Sequence, residues 1–193
     1  MKKIILGSNS PRRRELLAGL DVEFTVDTAN SFEEHFGPST PHEQVPVLMA
    51  EGKSHGFHRP LAEDELLLTA DTMVLLHDRG DKSPILGKPH SRQEAVEMLR
   101  ELSGRTHEVI TAVTARDAHR CKTVTDSTLV TFREMSDEEI EYYVDRYSPL
   151  DKAGAYGVQE WIGFVAITGI QGSFYNVMGL PVHKVYSLIQ EFN

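Results

Sequence analysis

The chain has 193 residues, 40% hydrophobic and 25% charged, with 20 Lys+Arg against 29 Asp+Glu and a formal net charge of −9. That composition suits one globular domain, or two lobes sharing one core, folding without disulfides or a structural metal. The acidic balance argues against a general nucleic-acid binder, the single Cys121 excludes an intramolecular disulfide, and no apolar run approaches the roughly 18 residues of a membrane span.

The opening Met1-Lys2-Lys3-Ile4-Ile5-Leu6 mimics a leader for six residues before Ser8-Asn9-Ser10-Pro11 ends it, so a soluble cytoplasmic protein is expected. Lys3 to Gly7 reads as a short buried strand. Ser10 is a natural N-cap and Pro11 suits the first helical position. A helix therefore follows at once, with Leu16, Leu17 and Leu20 on one face and an end near Gly19 to Asp21. Glu23 to Asp27 reads as a second strand, and 28–40 as a polar loop carrying Glu33 and Glu34. A helix is expected from about Thr40 to His58, with Pro46 and Gly52 arguing for a kink or a late start. Leu66 to Thr69 reads as a buried strand ending at Ala70-Asp71-Thr72. Met73 to His77 continues extended, Asp78 to Pro84 turns, and Ile85 to Lys88 leads out. Ser91 and Glu94 make a capping-box pattern for a helix that buries Ala95, Met98, Leu99 and Leu102. Thr106 to Asp117 and Lys122 to Phe132 form a hairpin. Ser136 with Glu139 caps a helix to about Tyr147, and Phe164 to Ile170 is a strand candidate. Pro181 opens a last helix whose stripe is Val182, Val185, Tyr186 and Ile189. Together these elements predict an α/β fold, a twisted mixed β-sheet flanked by helices.

Three places carry chemistry. Residues 1–14 hold Lys2, Lys3, Arg12, Arg13 and Arg14 and no acid, a basic corner in an acidic chain. On charge alone this is an anion site or a solvated turn in equal measure. Ser8-Asn9-Ser10-Pro11-Arg12-Arg13 adds a strand-to-helix turn, whose unpaired N–H groups and helix dipole attract anions. Cations at a helix N-terminus are locally unfavourable, and a bound polyphosphate gives them a reason to be there. Asp71, with Thr72, stands where ligands gather in α/β sheets, although Asp-Thr also commonly just ends a strand. Lys53, Lys88 and Lys152 each read as surface lysines alone. With Arg12 and Arg13 they would neutralise a triphosphate. The nine histidines show no metal-ligand spacing, so any metal is expected to be a hard, oxygen-bound cation.

Taken in order, these segments resemble the Maf family of nucleoside triphosphate pyrophosphatases. The resemblance runs through Leu6-Gly7-Ser8-Asn9-Ser10-Pro11-Arg12-Arg13-Arg14-Glu15-Leu16-Leu17, Ala70-Asp71-Thr72, Leu86-Gly87-Lys88-Pro89 and Leu102-Ser103-Gly104-Arg105-Thr106-His107. It continues through Asp151-Lys152-Ala153-Gly154-Ala155-Tyr156-Gly157-Val158-Gln159 and Gly172-Ser173 to Val177-Met178-Gly179-Leu180-Pro181. It implies a fold similar to inosine-triphosphate pyrophosphatases, usually dimeric and cytoplasmic. The implied activity is cleavage of a nucleoside triphosphate between its α and β phosphates with a divalent cation, Mg²⁺ or Mn²⁺. By resemblance Asp71 is the catalytic proton acceptor. By the same resemblance Arg12, Thr72 and Gln159 bear on base preference, and Lys53 and Lys88 match the family's helix lysine and Lys-Pro lysine. On their own chemistry Ser8, Ser10, Arg12, Arg13, Lys53 and Lys88 would bind the substrate's phosphate oxygens. Glu34, with Glu33 as the alternative, would hold the metal with Asp71. An Asp of ordinary pKa, about 3.9, is a poor base at neutral pH, which favours at least partial metal work for Asp71. Pro-Arg-Arg and Asp-Lys-Ala-Gly-Ala-Tyr-Gly-x-Gln match the subfamily acting on dTTP and UTP. The departures are Gly7 where Ala is usual, and Glu160, where Gly is usual, followed by Trp161. The partners implied are the nucleoside triphosphate and a second copy of the chain in a homodimer, with no nucleic acid and no membrane. The alternative is a nucleotide-binding regulator of septum formation, with catalysis secondary.

Overall fold

A computed structural model describes residues 2–37, 39–77 and 85–193, so the turn expected at Asp78 to Pro84 lies outside the described residues. The elements are β1 (Lys3–Leu6), α1 (Pro11–Ala18), β2 (Phe24–Val26), α2 (Val45–His55), β3 (Glu65–Leu75), β4 (Ile85–Leu86), α3 (Arg92–Leu102), β5 (Thr106–Arg116), β6 (Cys121–Phe132), α4 (Asp137–Tyr147), α5 (Trp161–Ala166), β7 (Ile167–Gln171), α6 (Phe174–Met178) and α7 (Val182–Phe192). The strands form a seven-stranded mixed sheet in the order β2-β1-β3-β5-β6-β7, with β4 on β3. β1 runs parallel to β2 and β3, whereas β3–β4 and β6–β7 are antiparallel. The expected α/β class therefore stands.

The chain divides into two compact units. The first comprises 1–71, 111–126 and 179–193. Its opening β1–α1–β2 segment is a parallel crossover, which leaves the carboxyl end of β1 facing the start of α1. Ser10 caps α1 by accepting the Arg13 N–H, with Pro11 at the first position, as expected. α2 starts late, at Val45, after a short 3₁₀ turn at His42–Gln44; Pro46 then falls in the first turn, where a missing N–H does no harm. Ile5, Phe57, Leu61 and Leu67 form one buried cluster of this unit. In α7 the buried stripe is Val185, Leu188, Ile189 and Phe192, while Tyr186 is exposed, a correction of the expected stripe. Both patterns have helical spacing; only the packing selects between them.

The second unit comprises 72–110 and 127–178. Ser91 and Ser136 cap α3 and α4. The capping box is complete only at Ser136–Glu139, because the Glu94 carboxylate accepts from the His90 N–H instead. Two expectations are corrected here. β3 does not end at Ala70-Asp71-Thr72; the extended stretch expected from Met73 is the same strand, which runs unbroken to Leu75 because nothing between Leu68 and Leu75 breaks an extended chain. Residues Phe164 to Ala166 are helical, in α5, and only Ile167–Gln171 is strand. Phe164 is 84% exposed, so its apolar character reports no burial.

Candidate active site

The first unit builds a charged cluster beside α1. β1 pairs with β3 only as far as Leu68, and the Gly7 N–H closes onto the Leu68 carbonyl at 2.8 Å. Asp71 lies three residues beyond, inside β3 but past the end of its parallel neighbour. This is the place in an α/β sheet where a side chain can meet a ligand. Its Oδ1 is 2.6 Å from Lys53 Nζ on α2, and the same ammonium is 2.9 Å from Glu34 Oε1. Lys53 is 21% and Asp71 14% exposed, whereas Glu34 is open to solvent at 59%.

The loop carrying Glu34 reaches Lys53 because α2 has a bare face. A Cβ at Gly52 would collide with the Phe32 ring, and one at Gly56 would lie 2.6 Å from Asn30 Oδ1. Asn30 donates to the Lys53 carbonyl, Ser31 N–H to the Gly56 carbonyl at 2.9 Å, and His58 N–H to the Ala29 carbonyl at 3.3 Å. Gly52 thus lowers helix propensity but admits the loop. Of the two candidate acids, Glu34 is the one that meets Lys53. Glu33 has its carbonyl 3.0 Å from His35 Nδ1.

Ser8 is buried; its Oγ accepts the Ser10 N–H and a bond from Arg13 Nη1, both at 3.3 Å. Arg13 also donates from Nη1 to the Ala70 carbonyl at 2.8 Å and from Nε to the Gly179 carbonyl at 2.9 Å. Loss of water lowers its pKa, an effect partly offset by Asp71 and Glu34 and reinforced by Arg12. Arg13 therefore joins the β1–α1 turn to β3 and to the start of α7, a structural duty that its motif does not announce. Gly179 (φ +110°) is needed for that geometry and was legible only as part of a motif. A lysine cannot serve two carbonyls and a hydroxyl in this fork. Arg13→Lys is expected to lower stability by about 2 kcal/mol, read as the urea midpoint, with a loss of activity alongside.

The second unit holds the other candidates. Thr72 is half-buried on β3, and Lys88 is exposed just after β4. The Gly154 N–H donates to the Gly87 carbonyl at 3.1 Å, so the Asp151–Gln159 segment and the Gly87-Lys88-Pro89 segment meet. Gly154 (φ +68°) packs on Val74, where a Cβ would lie 2.9 Å from Val74 Cγ2. Lys152 is buried rather than on the surface, 2.7 Å from Asp151 and 3.2 Å from Glu160. Gln159 is half-buried, and its Oε1 has no hydrogen-bond partner among the described residues. His107 is fully buried; its Nε2 lies 2.7 Å from the Tyr156 hydroxyl, and burial pushes its pKa down to about 3. It is held as a neutral imidazole against Tyr156.

No group of three or more His, Cys, Asp or Glu side chains gathers to hold a metal among the described residues. Glu34 and Asp71 nonetheless converge on one cation, the Lys53 ammonium. Two carboxylates suit Mg²⁺ or Mn²⁺, which keep several waters and take further ligands from phosphate. Among the described residues no helix is long and apolar enough to cross a membrane.

The Maf-like protein family matches residues 3–192. The chain is 47% identical over 192 residues to a dTTP/UTP pyrophosphatase of Porphyromonas gingivalis, covering 98% of this chain and 94% of that one. It is 46% identical over 189 residues to the protein of that name from Phocaeicola vulgatus, covering 98% and 95%. Among solved structures it is similar to a HAM1 protein from Coxiella burnetii, with a TM-score of 0.51 at 12% identity over 99% of this chain and 100% of that one. That likeness bears on the fold alone and agrees with the architecture expected. With a family match over almost every residue and near-half identity to these relatives along their length, the chain belongs to the Maf family.

Proposed function

We propose that this chain hydrolyses dTTP and UTP to the nucleoside monophosphate and pyrophosphate. The observation that carries the reading is the Glu34–Lys53–Asp71 cluster past the end of β1, in a chain nearly half identical to enzymes named for that activity. The oxygen of a water bonds to the α-phosphorus, and the bond from that phosphorus to the oxygen bridging to the β-phosphate breaks. Such reactions depend mainly on positioning and on neutralising charge.

The α1 N-terminus, with the Ser8 and Ser10 hydroxyls, Arg12 and Lys88, would take phosphate oxygens. Arg13 fixes the turn that presents them. Lys53 orients Asp71 and balances phosphate charge. Asp71 takes the proton of the attacking water or holds the metal. Glu34 and Asp71 would hold a divalent cation, which when bound neutralises phosphate charge. Thr72 and Gln159 bear on the choice of base. The same reading is of a cytoplasmic homodimer, on the strength of the family alone.

The test is pyrophosphate release from dTTP, UTP, dCTP, CTP, ATP and GTP, with Mg²⁺ or Mn²⁺ and after chelation. Turnover of dTTP and UTP well above the purine nucleotides, lost on chelation, is expected. Equal rates across the panel would remove the selectivity. No pyrophosphate from any nucleotide, with binding intact, would favour a nucleotide-binding regulator.

A further inference from the structure

Glu160 is fully engaged in the structure. Its Oε1 is 3.2 Å from the Nζ of Lys152, a lysine only 7% exposed. Its Oε2 accepts the Tyr143 O–H, and the same phenol oxygen accepts the Gly157 N–H at 3.0 Å. Its own N–H donates to the Gly157 carbonyl at 3.0 Å. A Cβ at Gly157 would lie 2.8 Å from Glu160 Cδ, so the glycine leaves the space the carboxylate fills. Tyr143 is fully buried; burial, with the Glu160 charge, raises its pKa, and the phenol stays a donor.

The four-residue turn from Gly157 to Glu160 is therefore tied at both ends to one phenol and one carboxylate. Gln159 sits inside it, with Oε1 buried and without a hydrogen-bond partner among the described residues. A buried acceptor in that state calls for a donor. Thymine and uracil both present an imide N–H on the ring edge. Cytosine has a bare, accepting nitrogen at the same place.

We infer that Glu160 is a positioning residue: held by Tyr143 and Lys152, it fixes the turn so that Gln159 Oε1 accepts the imide N–H shared by thymine and uracil and rejects cytosine. This rests on the reading of the chain as a dTTP/UTP pyrophosphatase. The preference is a matter of one hydrogen bond placed by a rigid turn, and it weakens when the turn loosens.

The experiment compares UTP with CTP, by equilibrium binding and by pyrophosphate release, in the unaltered enzyme and in Glu160→Ala, Glu160→Gln and Tyr143→Phe, with a thermal melt of each. Glu160→Ala and Tyr143→Phe are expected to lower the UTP-over-CTP preference about tenfold, through KM more than kcat. Glu160→Gln retains one of the two tethers and is expected to keep most of the preference. Tyr143→Phe removes a single oxygen, so it decides the matter if Glu160→Ala fails to fold. A lower melting temperature with the preference intact in either folded variant overturns the inference and leaves the substrate reading standing. An unaltered enzyme that binds and turns over UTP and CTP equally overturns the inference alone, and one that releases no pyrophosphate from UTP or dTTP overturns the substrate reading with it.

Discussion

Replacing Asp71 with Asn is expected to lower pyrophosphate release from dTTP by about a hundredfold to ten-thousandfold while nucleotide binding persists. Asn has nearly the same shape, and its amide oxygen can still accept from Lys53 Nζ, which lies 2.6 Å from Oδ1 in the native pair. What disappears is the negative charge and the ability to take a proton. The fold should hold, because Asp71 lies beyond the β1–β3 pairing and β3 is held by its backbone. Single-turnover release with saturating dTTP checks this, and near-normal turnover would end the role given to Asp71. The metal series separates its two duties. If Asp71 chiefly holds a cation, excess Mn²⁺ should restore part of the lost rate. If it chiefly takes the proton, no concentration of metal should help.

Gly163→Ala is expected to have the largest effect on stability, more than about 3 kcal/mol. A Cβ there would lie 2.7 Å from the Val158 carbonyl carbon and nearer still to its oxygen. Both parties are backbone, so no flexible side chain can swing aside. Val158 is buried, and the turn it belongs to is tied through Gly157 to Tyr143. The strain must therefore be taken up by moving α5 or by distorting the turn that holds Gln159. A fall in Tm of about 6–12 °C is expected for a chain of this size, with weakened UTP preference in whatever protein remains folded. Gly87→Ala is the control: its Cβ would meet nothing within 4 Å, and a surface change of that kind should stay within about 0.5 kcal/mol. Equal melting of Gly163→Ala and the unaltered chain would show that the close approach carries no load.

Three helix starts were the most legible part of the fold. Ser10, Ser91 and Ser136 each accept the backbone N–H three residues on, as their spacing required, because capping is decided within one turn of chain. Asp71 and Gln159 could be picked out by motif. Their surroundings could not. Nothing local joins Asn30 to Lys53, Arg13 to Gly179, or Tyr143 to Glu160, and each of these bonds spans at least 17 residues of sequence. The helix at Trp161–Ala166 was hidden for a related reason: six residues show no periodicity, and an exposed Phe164 mimics a buried strand residue.

The sequence by itself determined the class of fold, the caps, the basic corner at the start of the chain and the family, since all of these rest on neighbouring residues or on motifs in order. Only the tertiary structure decided that Glu34 rather than Glu33 meets Lys53, that Arg13 spends much of its guanidinium on protein carbonyls, and that Lys152 is buried against Glu160. Those outcomes turn on which groups lose water together and which donor lies within about 3 Å of which acceptor, quantities set by chain segments far apart in sequence and invisible until they are packed.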